Sequence, residues 1–244
     1  MVALDKEQVM LMKKRFFSFL QLNKVIPQNL SFYLKAPKNK KGSILIEKSG
    51  CLERWPISQL ETEMEIEYLP HLVFDHVRSL NHVLKICKKA NKQEYVTGQM
   101  AWWGIYHQEL LKSHAIAPVY LKYIDSIMEW GLFAYQDLPE NCFIGEYTGT
   151  ITKYKHSIHD TNGYCFEYSI GGEKKTPYTI DAKYGGNVTR FINHSFKPNL
   201  KQIPVFYDQM MHIIFKTNRE VKKGEELTYN YGYSYWKKRE KPLD

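Results

Sequence analysis

The sequence predicts an α+β chain: a basic, mainly helical first part at 1–115, a β-rich second part at 116–236 and a basic tail at 237–244. Three features point there. Between His71 and Lys89, the residues Val73, Val77, Leu80, Leu84 and Cys87 recur at four-three spacing, the period of a helix with one apolar seam. From 91 to 114, Val96, Met100, Trp103, Tyr106 and Leu110 repeat the stripe, so the two segments are expected to form an αα-hairpin. Beyond Pro118 the helical period disappears, and short apolar runs broken by glycine and proline take its place, as strands require.

In chain order, residues 4–22 have Val9, Met12, Phe16 and Phe19 at helical spacing with Lys13, Lys14 and Arg15 between them. Such a helix either packs on its own domain or lies on a membrane surface. Residues 30–36 and 43–48 read as strands joined by a breaker-rich turn at 37–42. From Gly50 to Pro70 the pattern is ambiguous; Glu61, Glu63, Glu65 and Glu67 alternate with Met64, Ile66 and Tyr68, which allows a strand or an exposed edge. After Pro118, strands are expected at 119–125, 142–147, 164–170, 178–181, 203–207 and 211–216.

At 244 residues, 43% hydrophobic and 25% charged, the chain can bury a substantial core. No apolar run approaches the ~18 residues needed to span a bilayer. No secretory signal is apparent, and non-canonical export is left open. Net charge is +8 and uneven: residues 1–115 hold 17 Lys/Arg against 11 Asp/Glu. This is either a solvated surface or an electrostatic footprint for nucleic acid or an acidic assembly. Cys51, Cys87, Cys142 and Cys165 stand far apart, without CxxC spacing, and read as reduced small hydrophobes. No metal site is expected.

Two short stretches dominate the second part. RFINHSFKPN (190–199) mixes polar and apolar side chains in a way no amphipathic element would, so a buried turn with paired Asn and His is expected. GEELTYNYG (224–232) ends in alternating tyrosines. Upstream lie Trp130-Gly131-Leu132, GEYTGTI (145–151), YCFEYSI (164–170), Thr179-Ile180-Asp181 and Gly186-Asn187. In this order the motifs closely resemble SET-domain protein lysine methyltransferases over residues 117–236. They are similar to the SET proteins of chlamydiae and related intracellular bacteria, in IGEYTG, GNVTRFINHS and the YGxxYWK ending.

The resemblance implies a β-rich SET fold of small curved sheets with a threaded C-terminal segment, and S-adenosyl-L-methionine as cofactor. Its implied site has Tyr231 as the catalytic tyrosine and Tyr147, Tyr164 and Tyr229 lining a lysine channel, Tyr147 being equally readable as structural. Trp130, Gly131, Leu132, Arg190, Asn193, His194 and Trp236 would hold the cofactor, Arg190 being the natural partner of its carboxylate. Glu129 stands where many relatives have glycine. The implied substrate is a Lys-rich protein, a host histone or a bacterial histone-like protein, mostly mono- to dimethylated. Weak nucleic-acid contact through residues 1–115 is a further expectation. Two other classes stay open: a catalytically silent SET fold that binds peptides, and a basic nucleic-acid-binding protein.

Overall fold

The computed structural model describes residues 30–37, 40, 42–170 and 174–237. The expected helix at 4–22 and the tail beyond Lys237 lie outside the described residues. After a 3-10 turn at Leu30–Leu34 come β1 (Ser43–Lys48), β2 (Cys51–Pro56), α1 (Ile57–Met64), β3 (Glu67–Tyr68) and β4 (Val73–Phe74). Three helices follow: α2 (Val77–Lys92), α3 (Gly98–Tyr106) and α4 (Gln108–Lys112). Next are β5 (Val119–Tyr123), β6 (Trp130–Ala134), β7 (Phe143–Glu146), β8 (Thr150–Lys153) and a short α5 (His156–His159). Then come β9 (Cys165–Ile170), β10 (Lys174–Asp181), β11 (Gly185–Gly186), a 3-10 turn at Val188–Phe191, and β12 (Asn193–His194). The chain closes with β13 (Leu200–Tyr207), β14 (Met210–Thr217), β15 (Thr228–Tyr229) and α6 (Tyr233–Trp236).

These strands make small sheets: β2-β1-β5-β6, β4-β8-β10-β9, β13-β14-β7, and two-stranded pairs β11-β3 and β12-β15. All six expected strands beyond Pro118 are present within a few residues of their expected bounds. Of the additional strands, β8, β11, β12 and β15 are only two to four residues long, and β6 (WGLFA) is apolar throughout, so none shows alternation.

Strand pairing crosses the expected boundary at 115/116. Strand β1 runs parallel to β5, Leu45 opposite Tyr120, β3 lies on β11, and β4 on β8. One core accordingly holds Ile46, Leu60, Leu72 and Val83 together with Leu121, Leu132, Ile144, Ile180 and Phe215.

Within the described residues of the first part, two segments differ from the expected strands. Residues 30–34 form a 3-10 turn rather than a strand. Buried Tyr33 anchors it, donating to Asp208 at 3.0 Å, while Phe32 stays exposed. The partner of β1 is β2, joined at Ser49-Gly50, where φ is +52° and +80°. The acidic alternation within 57–64 belongs to helix α1, which buries Ile57 and Leu60.

Helix α2 starts later than its seam suggested. Val73 belongs to β4 and Val77 is exposed, while the buried line is Leu80, Val83, Cys87 and Ala90. His76 sets the start by accepting from Arg78 N at 3.0 Å. The expected αα-hairpin is not formed by packing: α2 docks on β4, β8 and β14, whereas α3 docks on β13. Gly104 permits the second contact, since a Cβ there would lie 1.9 Å from the Phe206 carbonyl oxygen. Among the described residues no helix is long and apolar enough to cross a membrane.

Candidate active site

The two polar stretches singled out in the sequence meet as neighbouring strands. β12 and β15 pair in parallel, Asn193 opposite Thr228 and His194 opposite Tyr229, and Ser195 N donates to the Tyr229 carbonyl at 3.1 Å. On its other side the C-terminal segment bonds to β6: Leu227 N donates to the Leu132 carbonyl at 2.7 Å and Ala134 N to that of Glu225 at 3.0 Å. Residues 225–229 therefore run between two earlier segments. Asn199 locks them there, its Nδ2 donating to the Glu226 carbonyl at 2.7 Å and its Oδ1 accepting from Thr228 N at 2.9 Å.

The expected buried turn is a 3-10 turn followed by a strand. Asn187 starts it, accepting from Thr189 N at 2.9 Å while its Nδ2 donates to the Glu146 carbonyl at 2.8 Å. Thr148 accepts from Asn187 N at 2.9 Å and donates to the Leu69 carbonyl at 2.7 Å. The buried polar groups of GEYT and GN thus satisfy one another, as a low-dielectric interior demands.

Tyr231 sits where these elements converge. Its hydroxyl donates to the Ile192 carbonyl at 2.9 Å, and its N–H donates to His194 Nδ1 at 3.1 Å. The His194 ring stands edge-on to Phe196, Tyr231 and Trp236, with centroids 4.5, 5.2 and 4.8 Å away. Burial, then neighbouring Tyr229 and Tyr235, holds the Tyr231 hydroxyl well above the usual phenol range. It stays protonated at neutral pH and acts as a donor, not a base.

A row of packed aromatic rings leads away from Tyr231. Tyr229 lies 4.7 Å from it, Phe215 4.8 Å from Tyr229, and Phe166 stacks on Tyr229 at 6.3 Å and tilts against Tyr147 at 5.4 Å. Tyr235 stands edge-on to Tyr231 at 4.7 Å. The Tyr147 hydroxyl donates to the Tyr164 carbonyl at 2.8 Å. Arg190 lies 4.0 Å over the Tyr164 ring, its Nε donating to the Ala182 carbonyl at 2.7 Å and an Nη to that of Lys183 at 2.9 Å. The expected carboxylate contact of Arg190 therefore meets a guanidinium already engaged by main-chain carbonyls, which it uses to prop Tyr164.

The third group of expected residues is also gathered here. Asn193 Nδ2 donates to Glu226 Oε1 at 2.9 Å and to the Trp130 carbonyl at 3.3 Å. A Cβ at Gly131 would lie 2.7 Å from Ile124 Cδ1 and 2.9 Å from Glu226 Oε1, so a side chain there would push these two side-chain ends aside. Leu132 is fully buried and contributes its carbonyl to the C-terminal segment. Glu129 has φ +56°, the left-handed region that glycine enters without steric cost. Trp236 stacks 6.2 Å from Tyr231, and its buried Nε1 has no partner among the described residues.

Four contributors were missed: Glu226, Phe166, Phe215 and Tyr235. Glu226 lies inside the quoted GEELTYNYG, next to Glu225 of the same type. Phe215 belongs to β14, buried along all eight residues, where alternation carries no facial information. The structure also brings together His159, Cys165 and Asp181, which nothing in their spacing joined.

Comparison with known proteins agrees with this geometry. Residues 129–232 match the family model described as SET domain. The chain is 34% identical over 114 residues to histone-lysine N-methyltransferase EHMT1 of Homo sapiens, covering 45% of this chain and 9% of that protein. It is 35% identical over 113 residues to histone-lysine N-methyltransferase Su(var)3-9 of Drosophila melanogaster, covering 42% and 18%. For the H3 lysine-9 specific histone-lysine N-methyltransferase SUVH5 of Arabidopsis thaliana the identity is 36% over 110 residues, covering 43% and 14%. The chain thus spans less than a fifth of the length of these relatives. Among solved structures, KRYPTONITE in complex with mCHH DNA, an H3(1-15) peptide and SAH gives a TM-score of 0.39 at 26% identity, over 47% of this chain and 23% of that one. Residues 129–232 are thus similar to SET domains, and the β-rich part of the chain has the small-sheet architecture of a SET fold.

Proposed function

We propose that the protein is an S-adenosylmethionine-dependent protein-lysine N-methyltransferase. One observation supports the reading: the parallel pairing of β12 with β15, which sets a protonated Tyr231 hydroxyl at the end of a row of aromatic rings, beside Asn193, His194 and Glu226. The residues fit such a cofactor. Trp236 has a buried indole N–H awaiting an acceptor next to His194, and Glu226 and the Trp130 carbonyl are acceptors suited to an ammonium. Asn193, Glu226, Trp130, His194 and Trp236 would hold it, with Gly131 keeping the wall thin.

Bound S-adenosylmethionine supplies an electrophilic methyl group on a sulfonium, a good leaving group. The chain's own task is then positioning, which can account for roughly 7–11 kcal/mol of a barrier. A lysine at its reference pKa of ~10.4 costs about 4 kcal/mol to neutralise near pH 7.5. Tyr147, Phe166, Phe215, Tyr229 and Tyr235 would line a passage that strips water from the ammonium, which lowers that cost. The Tyr231 hydroxyl, fixed on the Ile192 carbonyl, offers a rigid oxygen at the passage end.

The substrate class in this reading is a Lys-rich protein tail, in keeping with relatives named histone-lysine N-methyltransferases. The resemblance to SET proteins of intracellular bacteria extends it to host histones or a bacterial histone-like protein. The product would be mostly monomethyl- to dimethyl-lysine. The purified chain, incubated with the cofactor and a panel of histones and basic bacterial proteins, should leave methyl groups on lysine by mass spectrometry. Cofactor binding without methyl transfer to any Lys-rich substrate would instead favour a silent peptide-binding module.

A further inference from the structure

The stretch from α5 to β9 and the end of β10 hold a constellation that methyl transfer does not use. His159 Nε2, Cys165 Sγ and a carboxylate oxygen of Asp181 all lie within 4.8 Å of one another. His159 Nε2 is 3.7 Å from Asp181 Oδ2. Two donors on a tetrahedral ion with bonds of about 2.0–2.1 Å stand roughly 3.3–3.4 Å apart, and a thiolate a little farther, so small side-chain rotations close the set.

Each donor is oriented from behind. Asp181 Oδ1 accepts from Asn162 Nδ2 at 2.8 Å and from Lys183 N at 2.9 Å, which turns Oδ2 toward the histidine. His159 Nδ1 faces both main-chain groups of Lys155, the N–H at 2.8 Å and the carbonyl at 3.1 Å. A metal on Nε2 would select the tautomer whose Nδ1–H donates to that carbonyl, the usual outer-shell arrangement of a ligating histidine, in exchange for the bond Nδ1 accepts from Lys155 N. His159 is buried while Cys165 and Asp181 are half-buried, so an ion can enter from solvent.

We propose that His159, Cys165 and Asp181 form a zinc site, with water in the fourth position. One imidazole, one thiolate and one carboxylate make a borderline-soft set that suits Zn²⁺; Mg²⁺ and Ca²⁺ take oxygen ligands. On binding, the Cys165 thiol releases its proton to solvent and the sulfur bonds to the metal; no redox change occurs. The ion ties residues 156–165 to the end of β10. Tyr164, whose carbonyl receives the Tyr147 hydroxyl and whose ring carries Arg190, lies in that tied segment, so the metal stiffens one side of the aromatic row. This inference does not depend on the methyltransferase reading.

The test uses the full chain, stripped of metal and titrated with Co²⁺ as a spectroscopic probe and with Zn²⁺ by competition. One equivalent of Co²⁺ should raise a thiolate-to-cobalt charge-transfer band in the near ultraviolet together with the intense visible bands of four-coordinate cobalt. Cys165→Ser should abolish the charge-transfer band, whereas Cys51→Ser should leave it unchanged. Asp181→Asn and His159→Gln should each weaken Zn²⁺ binding at least tenfold, and Asn162→Ala about 10–100-fold through loss of carboxylate orientation. Circular dichroism establishes that each variant is folded; should Cys165→Ser not fold, the Asn162→Ala and Asp181→Asn titrations decide. No charge-transfer band in the parent chain, a band that survives Cys165→Ser, or affinities unmoved by Asp181→Asn and Asn162→Ala would overturn the site.

Discussion

The Tyr231 hydroxyl donates to the main-chain carbonyl of Ile192 at 2.9 Å, across 39 positions of sequence. It fixes the phenol oxygen from the strand side while the Tyr231 N–H is held by His194. Tyr231→Phe keeps the ring among Tyr229, Tyr235 and Trp236 and removes only this oxygen. Stability should fall by about 0.5–1.5 kcal/mol, the net worth of one hydrogen bond. Methyl transfer should fall by roughly 10²-fold or more, the usual cost of losing a preorganised donor. Single-turnover rates with unchanged circular dichroism check this, and near-normal turnover would remove Tyr231 from the chemistry.

Asn193 and Glu226 form the second fixed pair. Burial raises the Glu226 carboxyl above its ordinary value, with Asn193 pulling the other way, so the group is held in a site that disfavours charge unless a cation arrives. Glu226→Ala should weaken cofactor binding by about tenfold, near 1.4 kcal/mol. Glu226→Gln retains an acceptor for Asn193 and should recover most of the folding stability while leaving affinity low. Calorimetry on both variants separates a charge effect from an orienting one; equal affinities for Gln and Glu would remove the charge argument.

How far the sequence disclosed all this depended on how local each signal was. Asn193 and His194 stood out because a polar run among Phe and Ile cannot be an ordinary amphipathic element, whereas Tyr231 was reached only through the resemblance to SET-domain proteins. Phe215 was not, because every residue of β14 is buried. The sharing of one core by both parts was hidden for another reason. Leu45 opposite Tyr120 and Val73 opposite Thr150 are parallel pairings between distant segments, and neither leaves a periodic trace. Cys165 and Asp181 are likewise neighbours because β9 and β10 pair with Cys165 opposite Asp181, and His159 reaches them from the end of α5.

A pH dependence follows from His107. It is buried beside Trp103 and Phe143, and burial, then nearby Lys216, pushes it from 6.5 down to about 4. Its Nδ1 has no partner among the described residues. The unfolded chain takes up this proton below pH ~6.5, whereas the folded chain resists until about pH 4. The contribution of neutral His107 is therefore complete above pH ~6.5 and is lost as pH falls from there toward 4. Between pH 7 and 5 it should amount to about 1–2 kcal/mol. His107→Phe, which suits the aromatic surroundings, should flatten the decline in urea midpoint over that interval. An unchanged slope would assign the acid sensitivity to other groups.

The number of methyl groups transferred should rest on Tyr229. Its ring is pinned by Phe215, Phe166 and Tyr231, and burial, then Tyr147 and Tyr235, holds its hydroxyl well above the usual phenol range. The hydroxyls of Tyr231 and Tyr147 are committed to the carbonyls of Ile192 and Tyr164, whereas no side-chain hydrogen bond ties that of Tyr229 among the described residues. It is therefore available to hold a water, or the lysine amine itself, in the space a methylated nitrogen must turn into. A second or third methyl then has to displace a bound water whose hydrogen bonds it cannot replace, which costs affinity. The wild-type product should be mostly monomethyl-lysine with some dimethyl. Tyr229→Phe removes the hydroxyl but keeps the ring, so the first transfer should proceed at a similar rate while products move toward di- and trimethyl-lysine. A time course on a single-lysine peptide, read by intact mass, measures both quantities at once. Ready trimethylation by the wild type, or an unaltered product distribution in Tyr229→Phe, would shift control of the methylation state to Tyr147, Tyr235 or Phe166.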